Sequence, residues 1–191
     1  MKKNYNEDIC SQIENQNNFW LPRESRITIE GKLAKNPNDS PVVFVTNGLL
    51  QLFSECKYLL NGVEVDRTRG LGFASTLKAY CSLTPDELLS QHHAGWGGFA
   101  DTVNATGEYY FKACIRLKYF LGFAEDYRKI LLGARQELIL TRAGNDKNAL
   151  YRAPPEKGNA TDEAYKTTLT TTAANEKSSV TITKITWDTE Y

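Results

Sequence analysis

Hydrophobic and polar residues alternate in several short segments of this chain, and turn-forming residues separate those segments. Residues 26–33 (RITIEGKL) place apolar side chains on alternate positions, and residues 41–46 (PVVFVT) form a β-branched run between Asn-rich turns. Alternation with period two and short β-branched runs are both typical of β-strands. The pattern therefore predicts two strands in the first quarter of the chain.

A β-hairpin over residues 54–67 (SECKYLLNGVEVDR) is the strongest local prediction. Asn61 and Gly62 separate its two apolar runs, and a type I′ turn requires positive φ at both of its central residues. Asparagine and glycine are the residues that most easily adopt this backbone conformation. We expect the charge run of residues 66–69 (DRTR) to leave the hairpin and to lead directly into a helix.

Two helices are predicted after the hairpin. Phe73, Leu77 and Tyr80 recur at helical intervals, which predicts the first one. Thr84 supplies an N-cap for the second, and a proline and two acidic residues follow it, as is typical of a helix start. We expect this helix to end at the glycine that opens residues 95–107 (GWGGFADTVNATG), which are predicted to form a long exposed loop.

The second half of the chain returns to strand patterns. Residues 108–120 (EYYFKACIRLKYF) predict a half-buried strand with five residues facing one side, namely Tyr109, Phe111, Ala113, Ile115 and Leu117. Residues 137–142 (ELILTR) predict a further short strand, and residues 178–191 (SSVTITKITWDTEY) predict a last one that lies inside a sheet.

Two other segments of this half are assigned differently. Residues 122–136 (GFAEDYRKILLGARQ) space Phe123, Tyr127 and Ile130 at helical intervals and predict a helix. Residues 152–179 are rich in Thr, Ala and Pro and poor in large apolar residues, which predicts a loop of low order with room for one threonine-rich strand.

The predicted domain organisation is an N-terminal arm over residues 1–25 followed by a single domain over residues 26–191. The arm is polar and rich in Asn, and Phe19 and Trp20 near its end suggest that it docks on another surface. The domain contains seven or eight predicted strands with helices in the connections and no βαβ alternation. It is therefore predicted to be all-β, a β-sandwich or jelly roll with short inserted helices.

Composition restricts the function further. Lys plus Arg and Asp plus Glu both total 23, so the formal net charge is zero and long-range attraction to nucleic-acid phosphates is missing. We expect no specific nucleic-acid binding, and a local basic patch stays open as an alternative. No apolar run is long enough to span a membrane, and no secretory signal pattern is present. The four widely spaced cysteines are expected to be reduced thiols in a protein that folds inside the cell.

Motifs for chemistry are weak throughout. His92 and His93 are adjacent, so on a helix they point about 100° apart and cannot form a metal-binding pair. Cys81 has no local partner that would activate it as a nucleophile. The glycine clusters lack the remaining residues of a phosphate-binding loop. We therefore predict no catalytic, cofactor-binding or metal-binding residues and no enzymatic activity.

Three residues are candidates for contacts between subunits. Trp96 is a large ring in a glycine-rich loop, where it would either anchor an interface or stack on a sugar. Arg67 and Arg69 have two alternatives: they are solvated residues at the hairpin exit, or they pair with a carboxylate within the domain or across a subunit boundary. A subunit boundary would use such charges to fix its register.

The order of these segments resembles a known family. Four segments carry the resemblance: residues 58–80, the HHAGW sequence that ends the second helix, residues 111–151 and residues 180–187. Together they look like the N-terminal half of double jelly-roll major capsid proteins of Polinton/Maverick-type elements, and also like related capsid-like proteins of invertebrate genomes. The most specific parts are the DRTR hairpin, the GFAEDY helix that leads into ELILTR with an Asn-Asp pair behind it, and the closing ITKITW.

This resemblance implies a structural protein that forms shell units by self-association, in a virion or at the intracellular site of capsid assembly. Such proteins pair two jelly rolls and assemble as trimers, and this chain has the length of one roll. It is expected to be either a fragment of a longer two-domain chain or a single-roll descendant. A homotrimer is expected where the full double jelly roll is present. The alternative is a lectin-like or ligand-binding sandwich that uses Trp96 and the Tyr109-Tyr110 region.

Overall fold

The computed structural model describes residues 8–13, 19–34, 42–96, 102–103, 109–152 and 179–188. Over these residues, ten strands form three antiparallel sheets. The first sheet has the order β1 (Asp8–Ile13), β8 (Gln136–Arg142), β4 (Phe53–Leu60) and β5 (Val63–Arg69). The second has the order β10 (Ser179–Asp188), β2 (Arg26–Ala34), β7 (Tyr109–Arg116) and β6 (Thr102–Val103), and β3 (Val42–Phe44) pairs with β9 (Leu150–Arg152). The predicted all-β class is confirmed.

The two four-stranded sheets bury their alternating apolar residues in one shared core. The predicted alternation in β7 is observed, since Phe111, Ala113 and Ile115 are buried and Lys112 between them is exposed. The ring of Tyr58 in the first sheet meets that of Trp187 in the second, with centroids 6.1 Å apart. Because each fully buried Leu, Ile or Phe contributes about 1.5–3 kcal/mol, this core supplies most of the driving force for folding.

A β-bulge in β10 explains a change of phase in the sequence pattern. Val180 and Ile182 lie two residues apart, whereas Ile185 and Trp187 are shifted by one position relative to them. The register with β2 shifts between Ile182 and Lys184, so that residues on both sides of the shift point into the core. The final strand therefore stays in the sheet over ten residues, as predicted.

The predicted hairpin consists of β4 and β5. Asn61 and Gly62 have φ values of 51° and 79°, as a type I′ turn requires. One part of the prediction is wrong, because the charge run of residues 66–69 does not leave the hairpin but forms the last half of β5. The strand ends at Gly70, which has φ of 59° and opens the next helix.

In the described ranges, four short α-helices occupy connections between strands: α1 (Gly48–Gln51), α2 (Leu71–Ser82), α3 (Pro85–Ser90) and α4 (Gly122–Asp126). Three 3₁₀ turns accompany them at Pro22–Glu24, Gln91–Ala94 and Leu117–Tyr119. The predicted start of α3 is confirmed, with Thr84 and Glu87 forming a reciprocal capping box.

The helix predicted over residues 122–136 is mostly wrong. It ends at Asp126, because Tyr127 adopts an extended backbone with φ of −81° and ψ of 102°. Leu131 instead pairs with Trp20, through hydrogen bonds of 3.1 and 2.7 Å between their main chains. The helical spacing of Phe123 and Tyr127 reflects stacking of their rings, whose centroids are 5.0 Å apart, and not a continuous helix.

The N-terminal segment contributes to the sheets. The sequence pattern did not indicate a strand before residue 26, yet β1 pairs along its whole length with β8. The expected docking occurs through Trp20, which is 8% exposed, and not through Phe19, which is 59% exposed. The boundary between arm and domain at residue 26 stays a prediction.

Some predictions fall on residues that the structure does not describe. They are the low-order segment within residues 153–178 and most of the exposed loop that follows Trp96. Within the described ranges, α2 is the longest helix at 12 residues, and no helix there has the length and apolarity needed to cross a membrane.

Candidate interaction surface

Helix α2 carries an exposed stripe of large apolar side chains. Phe73, Leu77 and Tyr80 are 66%, 50% and 63% exposed, although they are the residues whose spacing predicts the helix. The opposite face of α2 is buried and consists mainly of small residues, namely Leu71, Gly72, Ser75 and Ala79. An exposed group of large apolar residues on a folded domain marks a surface for binding another molecule.

The small residues fix which way α2 faces. A Cβ atom on Gly72 would lie 2.3 Å from the Gln51 side chain and 2.7 Å from its Cα, so only glycine fits there. The buried Asn47 donates hydrogen bonds to Ser75 Oγ at 2.8 Å and to Thr76 Oγ1 at 3.0 Å. Because this face packs so closely, the large residues are held on the outside.

Trp96 lies beside this stripe. Its ring meets that of Tyr80 edge-on, with centroids 5.4 Å apart and an angle of 62° between the planes. Its main-chain N–H donates to the Gln91 carbonyl at 3.2 Å, directly after Gly95 turns the chain with φ of 83°. We refer to Phe73, Leu77, Tyr80 and Trp96 together as the apolar face.

The surroundings of Trp96 differ from the exposed loop that the sequence predicts for it. The ring is half-buried, and it shares an apolar pocket with Leu50, Ala79 and Ile115 in addition to its contact with Tyr80. The sequence singles out Trp96 as a contact residue but does not identify Phe73, Leu77 and Tyr80 of α2 as part of the same surface. The available signal was the contrast between large residues on one side of the predicted helix and Gly72, Ser75 and Ala79 on the other.

Strand β5 lies at the edge of the first sheet and presents its two arginines to solvent. Asp66 and Thr68, which alternate with them, point the other way and anchor the strand to the segment behind it. Asp66 Oδ2 accepts a hydrogen bond of 2.8 Å from the Phe123 N–H, and Thr68 Oγ1 donates one of 2.8 Å to the Phe120 carbonyl. The alternation of the DRTR run thus fixes the orientation of both guanidinium groups.

Both arginines share one carboxylate. Arg67 Nε donates a hydrogen bond to Glu55 Oε1, and Arg69 Nε lies 3.8 Å from the same oxygen. The hydrogen bond from Arg67 holds the pKa of Glu55 below its ordinary value. The pairing within the domain, one of the two alternatives from the sequence, is therefore observed for Arg67. Arg69 is 75% exposed and has most of its donors available to another molecule.

The residues considered for chemistry in the sequence lie on two different helical segments. His92 and His93 are exposed on a 3₁₀ turn, and Cys81 is exposed on α2. Cys56 is buried, and this burial raises the pKa of its thiol, which keeps it protonated. In the part of the chain that the structure describes, no group of three or more His, Cys, Asp or Glu residues is placed to hold a metal ion.

Comparison with known proteins assigns the sandwich to a family. A family model described as a double jelly roll-like domain matches residues 42–187, about three quarters of the chain. No curated protein matches the sequence.

A solved viral capsid structure has low sequence identity and low structural similarity to this chain. It is the quasi-atomic model of the PBCV-1 virus capsid, which is 12% identical with a TM-score of 0.40. The match covers 97% of this chain and 39% of that capsid chain, so this chain spans well under half of its length.

Proposed function

The chain belongs to the double jelly roll-like domain family, and from that premise we propose that it is a capsid-like structural protein whose copies associate with one another. The jelly-roll class predicted from the sequence agrees with this family. A jelly roll suits such a role because contacts form through its loops and helices, while few sheet edges are open to uncontrolled strand pairing.

The observation that carries the proposal is the apolar face. Three large side chains that are each at least half exposed would remain in water unless another surface covers them. Tyr80 and Trp96 also bring aromatic rings together, and aromatic residues are enriched where interfaces bind most strongly. The occupant that we propose is a second copy of this chain. Because the formal net charge is zero, no long-range repulsion opposes the approach of one copy to another.

Arg67 and Arg69 would set the register of this association. Arg69 keeps most of its donors exposed beside the shared Glu55, and such charges confer specificity and orientation more than affinity. The apolar face supplies the driving force, and the charged edge of β5 selects the arrangement.

Family membership also suggests a location, a lineage and an assembly unit for this protein. We place the protein in a virion or at the intracellular site of capsid assembly, in a lineage of Polinton/Maverick-type elements or of related capsid-like proteins. Where a second jelly roll accompanies this one, the assembly unit is a homotrimer. The domain over residues 26–191 would act as one roll of that unit, and the assembly needs no specific nucleic acid.

Negative-stain electron microscopy at increasing protein concentration tests this function. The proposal expects particles of uniform size, capsomers or shells, whose number grows with concentration. Monomers at all concentrations that bind glycans on an array, with binding lost in Trp96→Ala, would contradict it and support the lectin-like alternative.

A further inference from the structure

A charged cleft lies between α2, α3, α4 and the neighbouring 3₁₀ turns, and Ala79, which also lines the pocket of Trp96, forms part of its wall. Its volume is about 160 Å³. The residues that line it include three cations and two carboxylates around one phenol, namely Arg23, Lys78, Lys118, Glu87, Glu125 and Tyr119. The lining therefore carries a formal excess of one positive charge.

Both carboxylates of the cleft are already engaged. Glu87 Oε2 accepts hydrogen bonds from the Thr84 N–H at 2.8 Å and from Thr84 Oγ1 at 3.0 Å, as part of the capping box of α3. Glu125 Oε2 pairs with Lys78 Nζ at 2.5 Å. Each carboxylate thus has a structural partner of its own.

Two of the cations form no such close pair in the described part of the chain; the hydrogen bonds from Thr84 lower the pKa of Glu87, and the charge of Lys118 adds to that effect. Arg23 Nη1 donates to the main-chain carbonyl of Glu125 at 2.6 Å, and Lys118 Nζ lies 5.5 Å from the centroid of the Tyr119 ring. Among the described residues, neither side chain forms an ion pair with a carboxylate. Both are half-buried, so solvent screens their charge less than on an open surface.

We propose that this cleft binds a phosphate group. Arg23, Lys78 and Lys118 come from three different elements, so their donors approach the cleft from separate directions and suit a tetrahedral oxyanion better than a planar carboxylate. Arginine and lysine are the side chains that hold phosphate most strongly, through charge-assisted hydrogen bonds. Phosphate binding by these three cations does not require self-association through the apolar face.

The phosphate would come either from free inorganic phosphate or from a phosphomonoester on another molecule, and the chemistry of recognition is the same for both. Isothermal titration of the full chain at constant ionic strength, with inorganic phosphate and with O-phosphoserine as separate probes, distinguishes them. Tighter binding of O-phosphoserine assigns the site to a phosphomonoester, and equal or weaker binding assigns it to free phosphate. Acetate serves as the planar competitor.

Variants locate the binding. Lys118→Gln and Arg23→Gln each remove one cation that has no carboxylate partner, and each should weaken phosphate binding at least tenfold. Lys112→Gln is the matched control, because Lys112 lies on β7 and pairs with Glu30 at 2.8 Å, and it should bind within about twofold of the unchanged protein.

Amide chemical shifts of the unchanged protein give a result that does not depend on the folding of any variant. On addition of phosphate, the largest changes should centre on Arg23, Lys78 and Lys118. The proposal is overturned if phosphate does not bind saturably, if acetate binds as tightly, or if the shifts centre elsewhere. Equal loss of binding in Lys112→Gln would overturn it too.

Discussion

Arg142 and Asp146 form an ion pair inside the sandwich, with Nη2 of the arginine 2.5 Å from Oδ1 of the aspartate and both side chains at most 7% exposed. Arg142 Nη1 also donates to the Leu52 carbonyl at 2.5 Å, and Asp146 Oδ2 accepts from the Val180 N–H at 2.9 Å. The pair therefore connects the end of β8 with the start of β4 in the first sheet and with the start of β10 in the second.

Removing one member of this pair should be strongly destabilising. Asp146→Ala removes the Asp146 carboxylate from a buried guanidinium and the acceptor from the Val180 N–H, so we expect a loss of about 3–5 kcal/mol in the free energy of unfolding. Urea denaturation measures this loss. Glu137→Ala is the control, because the Arg135 that it leaves behind is half-exposed and can be hydrated, so the loss should be clearly smaller. A similar small effect for both variants would show that the buried pair does not hold the sheets together.

Stability should fall as the pH rises above about 8.5, the ordinary pKa of a cysteine thiol. Burial raises the pKa of Cys56 in the folded state, so above this pH the thiol ionises only in the unfolded chain. The expected loss is about 1.4 kcal/mol for each further pH unit. Burial also raises the pKa of Tyr58, so a second decline should begin near pH 10, the ordinary pKa of tyrosine.

Denaturation of Cys56→Ala between pH 7 and pH 10 checks the assignment. This variant should lose the decline that begins near pH 8.5, whereas Cys81→Ala, which removes an exposed thiol, should keep it. An unchanged pH dependence in Cys56→Ala would mean that its thiol ionises equally in the folded and unfolded states.

Local chemistry made much of the fold predictable. The Asn61-Gly62 turn needs only two residues to specify it, and the alternation in β7 repeats over enough positions to identify its buried face. The Asn145-Asp146 pair behind ELILTR was noted as a specific element of the sequence. Its role required the structure, since Asp146 acts on Val180, which is distant in the chain.

The failures have physical reasons. Strand β1 was missed because its sequence, DICSQI, is mostly polar and pairs with a strand more than 120 residues later. The helix over residues 122–136 was predicted too long because aromatic stacking imitates helical spacing. The apolar face was missed because periodicity identifies a stripe but not its direction, and the direction of α2 is set by the close packing of Gly72 against Gln51.

The arginines of β5 should affect assembly far more than folding. Arg67→Ala combined with Arg69→Ala removes two charges at the surface, where water screens their ion pairs with Glu55, so urea denaturation should change little. Light scattering should instead show weaker or irregular assembly. Arg135→Ala is the control, because it removes another arginine that pairs with one glutamate. Unaltered assembly in the double variant would reject a role for Arg67 and Arg69 at a subunit boundary.

Sedimentation velocity over a range of concentrations tests most directly whether the apolar face joins copies of this chain. The unchanged protein should shift to larger species as concentration rises. Leu77→Glu, which places a charge at the centre of the face, should remain monomeric with an unchanged urea midpoint, because Leu77 is 50% exposed. Leu89→Glu, at an apolar residue of α3 that is 76% exposed, should assemble normally. A monomer at every concentration for the unchanged protein, or assembly of Leu77→Glu equal to that of Leu89→Glu, would contradict the account.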